Sequence, residues 1–207
     1  MLLLHWSVAA WAQPTPHRPF SVKLGTNDCH SFEDIAVEAI HNREGGLAWA
    51  RRSAARVQRE LGVGKAPASG IRVTELATGW NDGAVIDARR RTNGDWVVSR
   101  IERRFVPDGG DRVRPDGQRH DRVTVRGKGA GELDALVGMA CWRDQPDYLP
   151  NILPLKGGGD ARCFDGVDVL IEASMPKLRR TAYQACVARG VNGLIVGKLW
   201  DIIPRAP

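Results

Sequence analysis

The chain has 207 residues, 43% of them hydrophobic, 26% charged and 6% aromatic. That composition fits a globular protein and excludes collagenous, low-complexity and disordered classes, while the length allows a real core. No apolar run approaches the roughly 18–20 residues of a membrane-spanning helix, and thirty basic against twenty-four acidic residues favour anionic partners without naming one.

Residues 1–12 read as a signal peptide. Leu2 to Leu4 open an apolar stretch, and Ala10-Trp11-Ala12 supplies a small-x-small cleavage site. The segment is short and lacks a basic beginning, as expected if the true start lies upstream. This reading implies export to the periplasm or the extracellular space. Residues 13–30 then form an extended, proline-rich lead-in.

Residues 31–64 carry helical spacing. Ser31 is the expected N-cap, followed by Phe32, Ile35, Ala36, Ala39 and Ile40 on one stripe. Gly45-Gly46 interrupts the pattern, and Leu47, Ala50, Ala54, Val57 and Leu61 resume it until Gly62 and Gly64. Two short helices or one kinked helix are expected. Arg52, Arg56 and Arg59 share the face opposite the second apolar stripe.

Residues 65–207 are expected to form the α+β domain against which the helical segment packs. Ile71 to Leu76 alternates like a strand. Asn93-Gly94 is the strongest hairpin signal in the chain. As a two-residue loop it sets Arg91 opposite Trp96, Arg89 opposite Val98 and Asp87 opposite Arg100. Ile86 with Ile101, and Ala88 with Ser99, then form the core side. An exposed Asp87–Arg100 ion pair and an Arg91–Trp96 cation–π contact follow from that register. Residues 107–121 read as a mobile loop, Val123 and Val125 as the start of a strand, and Glu132 to Trp142 as a helix. Val167 to Ala173 and Leu178 to Val187 form a second hairpin, and Asn192 caps a final helix stopped by Pro204.

The fold expected is therefore an antiparallel sheet built from hairpins, with helices packed on one face and disulfides stapling it. An even number of cysteines suits an oxidising compartment. A second hairpin centred near Met175 and Pro176 places Phe164 or Asp165 opposite Cys186, which brings Cys163 within reach. Cys163–Cys186 with Cys29–Cys141 is the pairing favoured, and Cys141–Cys163 is its rival.

Chemistry is harder to read. Asp28-Cys29-His30, with Asp34, Glu38 and His41 following, is the best catalytic cluster, but Glu38 and His41 lack the second Glu-x-x-His copy that a metal site of that type needs. Lys156-Gly157-Gly158-Gly159-Asp160 lacks the Gly-Lys-Ser/Thr ending of a phosphate loop and reads as a turn. Asp165 with Asp168, or Glu172, could serve a glycosidase, yet no spacing places two of them together. No catalytic residue, metal ligand or cofactor is assigned.

Arginine is the one feature above background. Arg52, Arg56, Arg59, Arg91 and Arg100 are the candidate binding residues, although a GC-rich genome would enrich arginine without selection for function. The expected function is a non-catalytic binding or structural role in a bacterial envelope, contacting an anionic envelope polymer or a protein partner. Nucleic acid is disfavoured. The alternatives are a small secreted hydrolase using acidic or histidine residues, and an inhibitor or immunity-type protein.

Overall fold

A computed structural model of the chain describes residues 34–77, 83–107, 113–162, 166–176, 178–187 and 190–203. The leader, the lead-in, Asp28, Cys29, His30, Ser31, Phe32, Cys163, Phe164, Asp165 and Pro204 lie outside the described residues. Three helices are present among them: α1 (Arg43–Glu60), α2 (Gly127–Val137) and α3 (Gly190–Ile202). The strands are β1 (Gly70–Glu75), β2 (Ala84–Arg90), β3 (Trp96–Pro107), β4 (Val113–Val125), β5 (Tyr148–Leu149), β6 (Ile152–Pro154), β7 (Asp160–Arg162), β8 (Val169–Met175) and β9 (Leu178–Gln184). Seven form one sheet in the order β4-β3-β2-β1-β8-β9-β5, and β6 pairs with β7 in a separate ribbon. β5 joins β9 in parallel, so the sheet is mixed.

The α+β class holds, but the helices do not share one face. Ile71, Val73, Ile86, Ala88, Trp96, Val98 and Ile171 pack against α2 and α3 through Leu133, Leu136, Ile195 and Leu199. Leu76, Leu170 and Tyr183 point the other way and meet Ala50 and Ala54 of α1. Val85 joins Val57 and Leu61 on that same side. The sheet is thus sandwiched between layers. Its central strand β1 is buried along its whole length, so the alternate residues Arg72 and Thr74 must find partners inside the protein. They do: Arg72 holds Asp87, and Thr74 Oγ1 accepts from Gln58 of α1.

The first hairpin differs from expectation by one residue. Its loop has three residues: Gly94 N–H donates to Arg91 O at 3.1 Å, Arg91 N–H donates to Asp95 O at 2.8 Å, and Gly94 takes φ 87°. This is a type I turn closed by a left-handed glycine. Arg90 therefore pairs with Trp96, Ala88 with Val98 and Ile86 with Arg100. A one-residue slip exchanges faces. Trp96 is fully buried and donates from Nε1 to Asp134 of α2 at 3.0 Å. Asp87 and Arg100 are also buried, each with a different partner from the one expected. No exposed cation–π contact or Asp87–Arg100 pair forms there.

The charged stretch expected as a mobile loop is instead largely β4. It pairs with β3 from Trp96↔Val125 to Pro107↔Val113, with a bulge between Arg103 and Phe105. Being an edge strand, it takes ladder bonds from β3 and needs no apolar alternation. α2 begins at Gly127, earlier than expected, and ends at Val137. A short 3-10 turn, Ala140–Arg143, follows it. Near the start, the helical signal splits into a 3-10 turn, Val37–Ala39, and an unbroken α1 that runs through Gly45-Gly46. Gly46 leaves room for the Tyr148 ring, which a Cβ would approach to 2.2 Å. Asn192 is not a cap. It lies inside α3, fully buried, and its Oδ1 accepts from Trp142 Nε1 at 2.7 Å.

The second hairpin closes at Met175↔Leu178, one residue later than expected. Beyond the strands, Val187 N–H donates to Val167 O and Cys186 N–H to Asp168 Oδ1. Cys186 thus sits beside Val167 and Asp168, and the register that put Phe164 or Asp165 opposite it does not hold.

Candidate anion-binding surfaces

Helical periodicity does place Arg52, Arg56 and Arg59 together. All three are exposed on α1, away from the Ala50, Ala54 and Val57 stripe that faces the sheet. Arg56 lies 4.0 Å from Glu60, a loose surface pair, while Arg52 and Arg59 have no polar partner among the described residues. Trp49, 44% exposed, flanks them and meets Tyr183 edge-on at 5.8 Å. An exposed indole beside unpaired guanidinium groups offers both charge and an apolar ring to a ligand.

Arg100 cannot join that surface. It is buried between Glu75 (2.9 Å) and Glu102 (2.7 Å), on the face covered by α2 and α3. Its role is structural, because Nε and both terminal guanidinium nitrogens donate to carboxylates inside the sheet. Arg91 is exposed in the β2–β3 turn. Nothing among the described residues links it to the α1 arginines.

The acidic candidates are likewise engaged or scattered. Glu172 accepts from Gln58 at 3.0 Å. Asp168 accepts from the Tyr183 hydroxyl at 3.0 Å and from the Cys186 amide at 3.2 Å. Burial first, then the Asp168 charge, pushes the Tyr183 hydroxyl far above the usual tyrosine range, so it stays a proton donor. Asp34 lies next to the Ile35–Leu155 bridge, and His41 is exposed just before α1. Among the described residues no group of three His, Cys, Asp or Glu side chains could hold a metal ion. The glycine-rich 156–160 segment is the turn between β6 and β7, closed by Leu155 with Gly158 and Gly159.

A second basic surface went unrecognised in the sequence. At the β8–β9 hairpin a shallow depression of about 260 Å³ is lined by Arg143, Leu178, Arg179 and Arg180. A neighbouring one of about 320 Å³ is lined by Ala66, Glu172, Ala173, Ser174, Arg179, Arg180 and Thr181. Arg180 is the built-in anchor. Its guanidinium donates to the carbonyls of Trp142, Arg143, Gln145 and Pro146, tying the 3-10 turn to β9. Burial lowers its pKa, opposed by Asp147. Arg143 and Arg179 are exposed and have no side-chain partner among the described residues. The available signal was the Arg179-Arg180 doublet inside a strand: alternation sends one side chain to each face.

Cys141 and Cys186 are each disulfide-bonded, and no free cysteine occurs among the described residues. With Cys29 and Cys163 outside those residues, the pairing itself is not defined there. No helix among the described residues is long and apolar enough to cross a membrane. Comparison with protein-family models, curated proteins and solved structures found no match.

Proposed function

We propose that the chain is an exported, disulfide-stapled binding protein that contacts an anionic polymer of the cell envelope through the solvent face of α1. The observation that carries this reading is the exposed Arg52, Arg56 and Arg59 stripe, flanked by Trp49 on a helix whose other face is locked to the sheet. Guanidinium groups that spend no donors inside the protein remain free for phosphate, sulfate or carboxylate.

Retention of the full chain on heparin should therefore fall steeply as salt rises, because binding releases condensed counterions. The triple replacement of Arg52, Arg56 and Arg59 by alanine should elute at clearly lower salt, with affinity down on the order of tenfold or more. Equal elution of the two proteins would remove α1 as the binding face.

The staple proposed is Cys163–Cys186 with Cys29–Cys141. The support is no longer strand register but proximity. A Cβ on Gly166 would lie 2.8 Å from Cys186 Sγ, so that sulfur faces the chain a few residues after Cys163. Mass spectrometry of protein recovered from the cell envelope, digested without reduction, should show a peptide pair joined through Cys163 and Cys186 and a mature chain beginning at Gln13. A Cys141–Cys163 pair would refute the staple, and an intact Met1 on the recovered protein would refute processing.

A further inference from the structure

Backbone direction along β9 exposes a feature that its side chains alone do not. Tyr183 and Ala185 point their N–H groups away from β8, donating to Asp147 O and Leu149 O, both at 2.8 Å. In an antiparallel ladder such outward groups recur at every second residue. Thr181 and Arg179 therefore present N–H and C=O in the same outward direction. β5 reaches only as far as Tyr148, which pairs with Tyr183. Among the described residues no strand lies on the side of Leu178–Ala182 away from β8, and no group accepts from the Arg179 or Thr181 N–H.

This open edge is flanked by the two arginine-lined depressions, and its chemistry differs from that of the opposite edge. β4 carries Pro115 and closely spaced opposite charges, including the Arg119–Asp121 pair, devices that discourage pairing with another strand. The β9 segment offers unpaired donors beside two unpartnered cations, Arg143 and Arg179, with half-buried Leu178 between them. Arg180 holds the 3-10 turn against β9, so the backbone of Arg143 is fixed next to the edge. Self-pairing would set these arginines against their own copies. An acidic strand would neutralise them.

We propose that an extended, acidic peptide segment of a partner protein adds to the sheet at Leu178–Ala182. Its main chain bonds Arg179 and Thr181, and its carboxylates meet Arg143 and Arg179. The edge accommodates about five residues at roughly 3.3 Å each. The site is separate from the α1 stripe and stands without it.

The test is fluorescence anisotropy of the oxidised full chain with a labelled, end-capped hexapeptide of alternating glutamate and valine. A second probe is the same peptide N-methylated at alternate residues on the edge-facing side. The plain peptide binds, and N-methylation weakens it by about tenfold, as loss of strand hydrogen bonds requires. Thr181→Pro, which deletes an outward N–H without removing a ladder bond to β8, weakens binding similarly. Arg143→Ala and Arg179→Ala each weaken it, whereas Arg122→Ala, exposed on β4 at the opposite edge of the sheet, leaves it unchanged. Absence of binding, equal binding of the N-methylated probe, or full displacement by equimolar inorganic phosphate would overturn the proposal. So would concentration-dependent dimerisation that blocks the peptide, since the occupant would then be a second copy. The N-methyl comparison needs no protein variant and stands even if Thr181→Pro fails to fold.

Discussion

Arg100→Met lowers the stability of the folded chain by roughly 3–5 kcal/mol in a urea titration at neutral pH, the usual cost of breaking a buried ion pair. Arg100 and Glu75 are 2% and 1% exposed, joined at 2.9 and 3.3 Å, and Trp200 Nε1 also donates to Glu75 Oε1. Burial by itself would lower the Arg100 pKa, but Glu75 and Glu102 outweigh it and hold the guanidinium above its usual value. Removing the arginine takes the cation that faces Glu75 out of a dry site, and the Trp200 indole that also donates to Glu75 carries no charge to replace it. Glu75→Gln added to Arg100→Met should recover a large part of the loss, because the uncompensated charge goes with it. A single-variant cost below about 1 kcal/mol would mean that water reaches the pair, as at a surface ion pair.

Leu199→Asp should cost at least about 3 kcal/mol, through an unpaired carboxylate driven into the α3–sheet interface. Leu199 has no exposed surface and packs in the same cluster as Leu133, Leu136, Trp96 and Ile195. Leu199→Ala keeps the site apolar and reads the packing component separately, about 2–5 kcal/mol. Arg52→Asp, on the exposed face of α1, is the contrasting case and should stay within about 0.5 kcal/mol. A thermal melt indifferent to Leu199→Asp would place that helix face in solvent and contradict the layer order.

The sites divide along similar lines. The α1 arginines were legible because three- and four-residue spacing puts them on one face whatever lies beneath. The Arg143–Arg179 surface was not, since its two members lie far apart in the chain and meet only because Arg180 ties the 3-10 turn to β9. Arg100 was misassigned for a related reason. Its environment depends on which residue faces it across the ladder, and one residue of loop length changes that.

Local periodicity and turn chemistry determined from sequence that α1, α2 and α3 exist, that Asn93-Gly94 reverses the chain, and that the class is α+β. Those features depend on neighbours a few residues apart, so a short window contains their cause. The tertiary structure alone decided that α1 covers the face opposite α2 and α3, because strands apolar on both sides accept a helix on either. It also decided that residues 113–121 are strand, where pairing with β3 supplies what side-chain pattern does not. The register of both hairpins belongs here too: loops of neighbouring lengths fit the same turn residues, and only packing against the helices chooses the face that is buried.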